Sequence, residues 1–169
     1  MKNIFHLQIR TYYPLIFLIL FVVLNGLAFC LGNLSNKTFE FFIPATTLVT
    51  GFCYFLYSQH IQQTKLFIDL FMAFNSRYDK LNKPLNTMLI RGDGNTLRPK
   101  DVLVLYDYFN LCAEEYLYYK SGYIDINVWE SWKQGMKIFA ADDEIKRVWA
   151  HEIKSGSYYG FSLDKIITS

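Results

Sequence analysis

Between Tyr12 and Leu31 no side chain is charged, and between Phe41 and Tyr57 none is charged again. At about 1.5 Å per residue the first stretch covers roughly 30 Å, the hydrocarbon thickness of a bilayer. The second is at the short limit for a span and reaches it when extended to Gln59. Pro14 and Pro44 stand near the two starts, where a missing N–H costs a helix little. The pattern predicts two membrane-spanning helices joined by a short polar segment. The first apolar run is longer than the core of a cleaved signal peptide, about 7–15 residues, so it is expected to remain in place.

After His60 the pattern changes. Phe67, Phe71, Phe74, Tyr78 and Leu81 recur at helical spacing, close to a heptad seam. They either continue the helix of the second span or begin another, and Lys83-Pro84 is expected to end or kink it. Arg91-Gly92-Asp93-Gly94-Asn95 is a loop by composition. A helix follows from Pro99 to about Lys120, apolar nearly all round, as suits the centre of a bundle. Its narrow polar strip is Asp107, Asn110 and Glu114, with Glu115 bordering the apolar side. Ser121-Gly122 is the stop signal.

The next helix begins at Asp125 or Asn127, where Asn127-x-x-Glu130 reads as a capping box. Val128, Trp129, Trp132, Met136 and Phe139 form its stripe. A further helix is expected over 142–154, with Glu152 in the middle of its apolar side. Tyr158, Tyr159 and Phe161 are expected to dock on the core. The fold class is therefore all-α: a two-helix transmembrane hairpin over 1–59, followed by a cytoplasmic helical bundle of four to five helices over 60–169.

Charge adds orientation. Residues 1–60 contain Lys2, Arg10, Lys37 and Glu40 as their only charged groups besides His. Lys2 and Arg10 precede the first span, and Lys65, Arg77, Lys80 and Lys83 follow the second. By the excess of basic residues on the cytoplasmic side, both termini are expected inside, in a multi-pass protein of the cell inner membrane. The overall net charge is only +2, too small to argue for nucleic acid, and none is expected as a partner. A hydrophobic content of 52% excludes disorder for most of the length.

Small and polar residues inside the spans point to helix packing. These are Asn25, Ala28 and Gly32 on the first helix and Thr47, Thr50 and Gly51 on the second. They fit packing within the hairpin or a seam between copies. Neither uncharged stretch contains an ionisable Asp, Glu, Lys, Arg or His, which argues against a proton relay or an ion-coupled transporter.

Candidate chemistry in the rest of the chain is sparse. Cys30, Cys53 and Cys112 are far apart and do not cluster with His6, His60 or His151 in a zinc or redox spacing, so no metal or cofactor is expected. Glu114 and Glu115 point about 100° apart on a helix and cannot act as one carboxylate pair. Glu114 is expected in solvent and Glu115 paired near the core. Glu152, facing inward, is expected to meet an Arg or a Tyr hydroxyl. Asn110, Glu114, Glu115, Trp129, Trp132 and Glu152 are the candidate binding residues, set against the plainer reading of core packing and satisfied hydrogen bonds.

Tyr108-Phe109-Asn110-x-Cys112-x-Glu114-Glu115-Tyr116, then Gly122-x-Ile124-Asp125-x-x-x-Trp129-x-x-Trp132-x-x-Gly135-Met136, resembles a widespread bacterial family. Its members are membrane-anchored small helical proteins, some of them labelled phage abortive-infection proteins. The resemblance covers roughly residues 100–150. It implies a bacterial, membrane-anchored helical plan and brings no catalytic residues. The function expected is a binding or scaffold protein, a sensor or effector in stress or phage defence, with the lipid bilayer and a second copy or another protein as partners. The rival readings are an accessory subunit of a membrane complex, or an enzyme with a site near Glu114, Glu115 and the Trp residues.

Overall fold

The computed structural model describes residues 4–91 and 97–168. Lys2 and the 92–95 part of the expected loop lie outside the described residues. The described residues are all-α, with no strand among them. The chain divides into two compact units, residues 1–65 and 66–169. The sequence reading put that boundary at 59/60.

In the first unit, α1 (Ile4–Leu34) turns back into the start of α2 (Thr38–Ile90). The turn is tight. Lys37 N–H donates to the Gly32 carbonyl at 2.8 Å, and Asn36 takes a left-handed φ of 52°. A Cβ on Gly32 would lie 2.4 Å from the Thr38 Cα, so only glycine lets the two backbones approach this closely. Further along, the Thr46 hydroxyl donates to Asn25 Oδ1 at 2.6 Å, while Asn25 Nδ2 donates back to the Phe21 carbonyl at 2.9 Å. Both helices are long and apolar enough to cross a membrane.

In the second unit the remainder of α2 joins α3 (Pro99–Lys120), α4 (Ile126–Ala140), α5 (Asp143–Glu152), a 3-10 turn (Ile153–Ser155) and α6 (Leu163–Thr168). Their shared core includes Phe74, Leu85, Leu105, Phe109, Ile124, Ile145 and Trp149, all nearly inaccessible. Each such side chain contributes about 1.5–3 kcal/mol by leaving water.

Local signals set most boundaries. Pro99 opens α3 with Arg98 as its N-cap, and Arg98 N–H donates to Asp101 Oδ2 at 3.1 Å. Asp125 caps α4, accepting from Asn127 N–H at 2.8 Å. Of the two expected starts it is Asp125 that caps, the box expected at Asn127 is not formed, and Glu130 pairs with Lys133 instead. Asp142 caps α5 by accepting from Ile145 N–H at 2.9 Å. That helix ends at Glu152, two residues earlier than expected, where the chain tightens into the 3-10 turn closed by Gly156 at φ 71°.

Two expectations are corrected. Lys83-Pro84 was expected to end or kink the helix; it does not end it, since α2 continues to Ile90. Proline in a helix interior costs about 3 kcal/mol. Burial of Leu85 and Met88 on the far side of Pro84 offsets that cost. Tyr158 and Phe161 are buried as expected, but Tyr159 is 56% exposed. Its left-handed φ of 53° lies in a backbone reversal that continues into Gly160 at φ 80°.

Candidate functional site

The candidate residues of the second unit come from α3, α4 and α5, and they do not converge. Asn110 is exposed on α3. One turn on, Glu114 forms a two-pronged ion pair with Arg77 of α2, at 2.5 Å and 3.1 Å. That guanidinium is held above its ordinary range chiefly by its hydrogen bonds to Glu114. Glu114 was expected in solvent and Glu115 paired near the core; Glu115 is indeed near the core, but the ion pair belongs to Glu114. A bidentate fork needs an arginine at the right height on a neighbouring helix. Arg77, thirty-seven residues away in sequence, supplies it for Glu114.

Glu115 is only 5% exposed. Burial pushes its carboxyl up to about 8 from an ordinary value of 4.5, the nearby Arg77 pulls against that, and Glu114 adds to it. Buried on the same side of α3 are Tyr108 and Cys112. Burial pushes the Cys112 thiol well up, with the Glu115 charge adding to it. The Tyr108 hydroxyl is likewise raised, first by burial and then by the nearby Cys112. Tyr78 of α2 is shifted in the same sense, by burial first and then by Cys112 and Glu115. In each of these weak acids burial is the first cause and disfavours the charged form.

Two aromatic groups hold the tryptophans: Trp132 is in one, and Trp129 and Trp149 are joined in the other through Tyr116 and Phe161. Trp129 stacks on Tyr119 with centroids 5.0 Å apart and planes within 9°. Trp132 lies against Phe71 at 6.1 Å and edge-on to Phe74 at 5.7 Å, both on α2. Trp149 is enclosed by Phe109, Tyr158 and Phe161 at 5.0–5.5 Å. Tyr158 is pushed up to about 12, chiefly by burial and then by the nearby Glu152 charge.

Arg77 and Asp101 are the charged residues that sequence reasoning missed. Asp101 is buried at the start of α3 and gathers two arginines, Arg91 at 2.5 Å and Arg98 at 2.8 Å. Burial opposes its ionisation, but the Arg98 hydrogen bonds and charge prevail and hold it below the ordinary 3.8. Only the acidic N3 position after Arg98-Pro99 could have signalled it.

In the first unit Asn25, Ala28 and Gly32 are buried on one side of α1. Thr46 and Val49 of α2 are more enclosed than Thr47, Thr50 and Gly51, which are exposed. An apolar cavity of about 230 Å³ is lined by residues that include Leu20, Cys53, Leu56 and His60.

Among the described residues no group of three metal-ligating side chains gathers. No family model, no curated protein and no solved structure matches this chain.

Proposed function

We propose that the chain is a two-span inner-membrane protein with both termini cytoplasmic. Its C-terminal helices form a cytoplasmic bundle that serves as a binding or scaffold module. The observation that carries this reading is the exposed apolar shell of α1 and the first part of α2. Leu18, Val22, Leu48 and Phe55 are each more than half exposed. A core helix of a water-soluble fold would hide such residues, whereas lipid is their matching solvent.

Binding is favoured over catalysis by how the carboxylates are used. A general acid or base has to reach substrate, in a cleft with a second polar group nearby. Glu114 is clasped by Arg77, Glu115 is enclosed, and Glu152 lies near the Tyr158 hydroxyl. By contrast, Ile68 and Met72 of the second unit are 47% and 64% exposed and offer an apolar contact surface. A part in a stress or phage response rests on the resemblance of residues 108–136 alone.

Alkaline extraction of membranes from cells expressing the full chain tests the anchor, which is expected to stay in the pellet. Cysteine at Ser35 should react with an impermeant maleimide in intact cells, and cysteine at Tyr159 only after permeabilisation. Extraction into the soluble fraction, or labelling in the reverse order, would overturn the topology. Plating efficiency of phages on the same cells tests the physiological role, with unchanged plating counting against it for those phages.

A further inference from the structure

The outward side of α2 in the second unit carries a groove between two parallel ridges. One ridge is Ile68, Met72, Ser76 and Lys80, and the other is Phe71, Asn75 and Asp79. Each follows the i, i+4 row of a helix, the row that interdigitates when helices pack. Phe71, Met72, Asn75, Ser76, Asp79 and Lys80 line the groove. Its floor end is apolar, with Met72 64% and Phe71 38% exposed, although Phe71 also stacks on Trp132. Its other end has a carboxylate on one wall and an ammonium on the other. Among the described residues neither Asp79 nor Lys80 is in an ion pair.

We propose that this groove is a self-association surface whose occupant is a second copy of the same chain, related by a two-fold axis. Charge complementarity identifies the occupant. A two-fold brings the same patch against itself, so each element of one copy must find its complement in that same patch. Here Asp79 on one ridge meets Lys80 on the opposite ridge of the partner, and the apolar ends around Met72 cover each other. A one-signed groove would not close on itself in this way, because like charges would face. Ser76, the small residue midway along the ridge, lets the backbones approach at the crossing.

The inference rests on the membrane-anchored reading in one respect. Two anchored copies present this face in the same orientation and within a thin layer, which raises their effective concentration. In sequence the phase of Ile68 and Met72 extends back through Ile61, Ser58, Tyr54 and Gly51 to Thr47, so the small residues of the second apolar stretch share it.

The test is oxidative cross-linking of the full chain in membranes, with Cys30→Ser and Cys53→Ser as background and the buried Cys112 retained. Single cysteines replace Met72, Asn75 or Ser76. Leu103→Cys and Ile138→Cys are controls, since both residues are exposed on other helices. The expected result is a product of twice the chain mass at the three groove positions and none at the controls. Asp79→Lys or Lys80→Asp should each abolish the product at position 76, and the two together should restore it. The proposal is overturned by equal cross-linking at all five positions, or by no dimer at the groove. A product of another mass would mean a different protein partner, and protection of position 72 from maleimide without any product would mean lipid. Failure of the anchor itself is read separately, as loss of the chain from the membrane pellet.

Discussion

Replacing Glu115 by Gln keeps the shape of the side chain and removes its titration. In the folded chain the carboxyl is raised to about 8, whereas in the unfolded chain it returns to about 4.5. The folded state therefore holds a proton that the unfolded state has released. For an acid raised by folding, stability is greatest below pH 4.5, declines as pH rises towards 8, and is level again above that. Each pH unit in the window costs about 1.4 kcal/mol, so the whole passage costs about 5 kcal/mol, with about 3 kcal/mol already lost by pH 7. With only 5% of Glu115 exposed, water screens little of this. The Gln variant has no such slope. The assay is denaturant unfolding of the full chain in detergent at pH 5, 6, 7 and 8. Tryptophan fluorescence is the reporter, since Trp129, Trp132 and Trp149 all lie in the second unit. The advantage of Glu115→Gln over the parent should grow by about 3 kcal/mol between pH 5 and pH 8. A difference that stays constant across that range would refute the argument, because it would mean that Glu115 ionises as it does in water.

Further outcomes follow from other contacts. Gly32→Ala places a methyl group 2.4 Å from the Thr38 Cα and should cost about 1–3 kcal/mol, seen as a lower thermal midpoint in detergent. Asp101→Asn weakens the contacts to Arg91 and Arg98 and should cost about 1–3 kcal/mol near neutral pH. Because folding lowers the Asp101 carboxyl, its contribution is present above pH 3.8 and fades as pH falls through the folded value, so parent and variant should converge in acid. Asp142→Ala removes the cap on Ile145 N–H and should cost about 1 kcal/mol, with the loss of helical circular dichroism confined to the melting transition. Phe109→Ala opens the core beside Trp149 and should cost about 3–5 kcal/mol, with a red shift in tryptophan emission.

Much of the helical order was legible because it is written locally. Helix α3 begins and ends where Pro99 and Ser121-Gly122 place it, since one residue's missing N–H or a left-handed stop acts on its own neighbours. The two apolar stretches were legible for a similar reason, as an unbroken run of apolar side chains needs no partner to be recognised. Asn25, Ala28 and Gly32 share a side of α1 by spacing alone. Their neighbours on α2 were not legible, because the rotation of one helix against another is set by which side chains interlock. Here that choice gives Thr46 to Asn25 and leaves Thr47 exposed.

The carboxylates show the same division. From sequence, adjacent Glu114 and Glu115 must point in different directions, and the apolar stripe shows which of them borders the core. Only the tertiary structure decided that Glu114 is the one clasped by an arginine, because Arg77 reaches it from another helix. Burying Glu115 beside Tyr108 and Cys112 is likewise a consequence of where α2 covers α3. Pro84 makes the point from the other side. Its local effect is to end or kink a helix, and the helix does not end there because burial of Leu85 and Met88 offsets one lost hydrogen bond. Elements and their apolar faces come from forces acting within a few residues. Ion pairs, burial of polar groups and survival of a helix across proline depend on what the rest of the chain brings into contact.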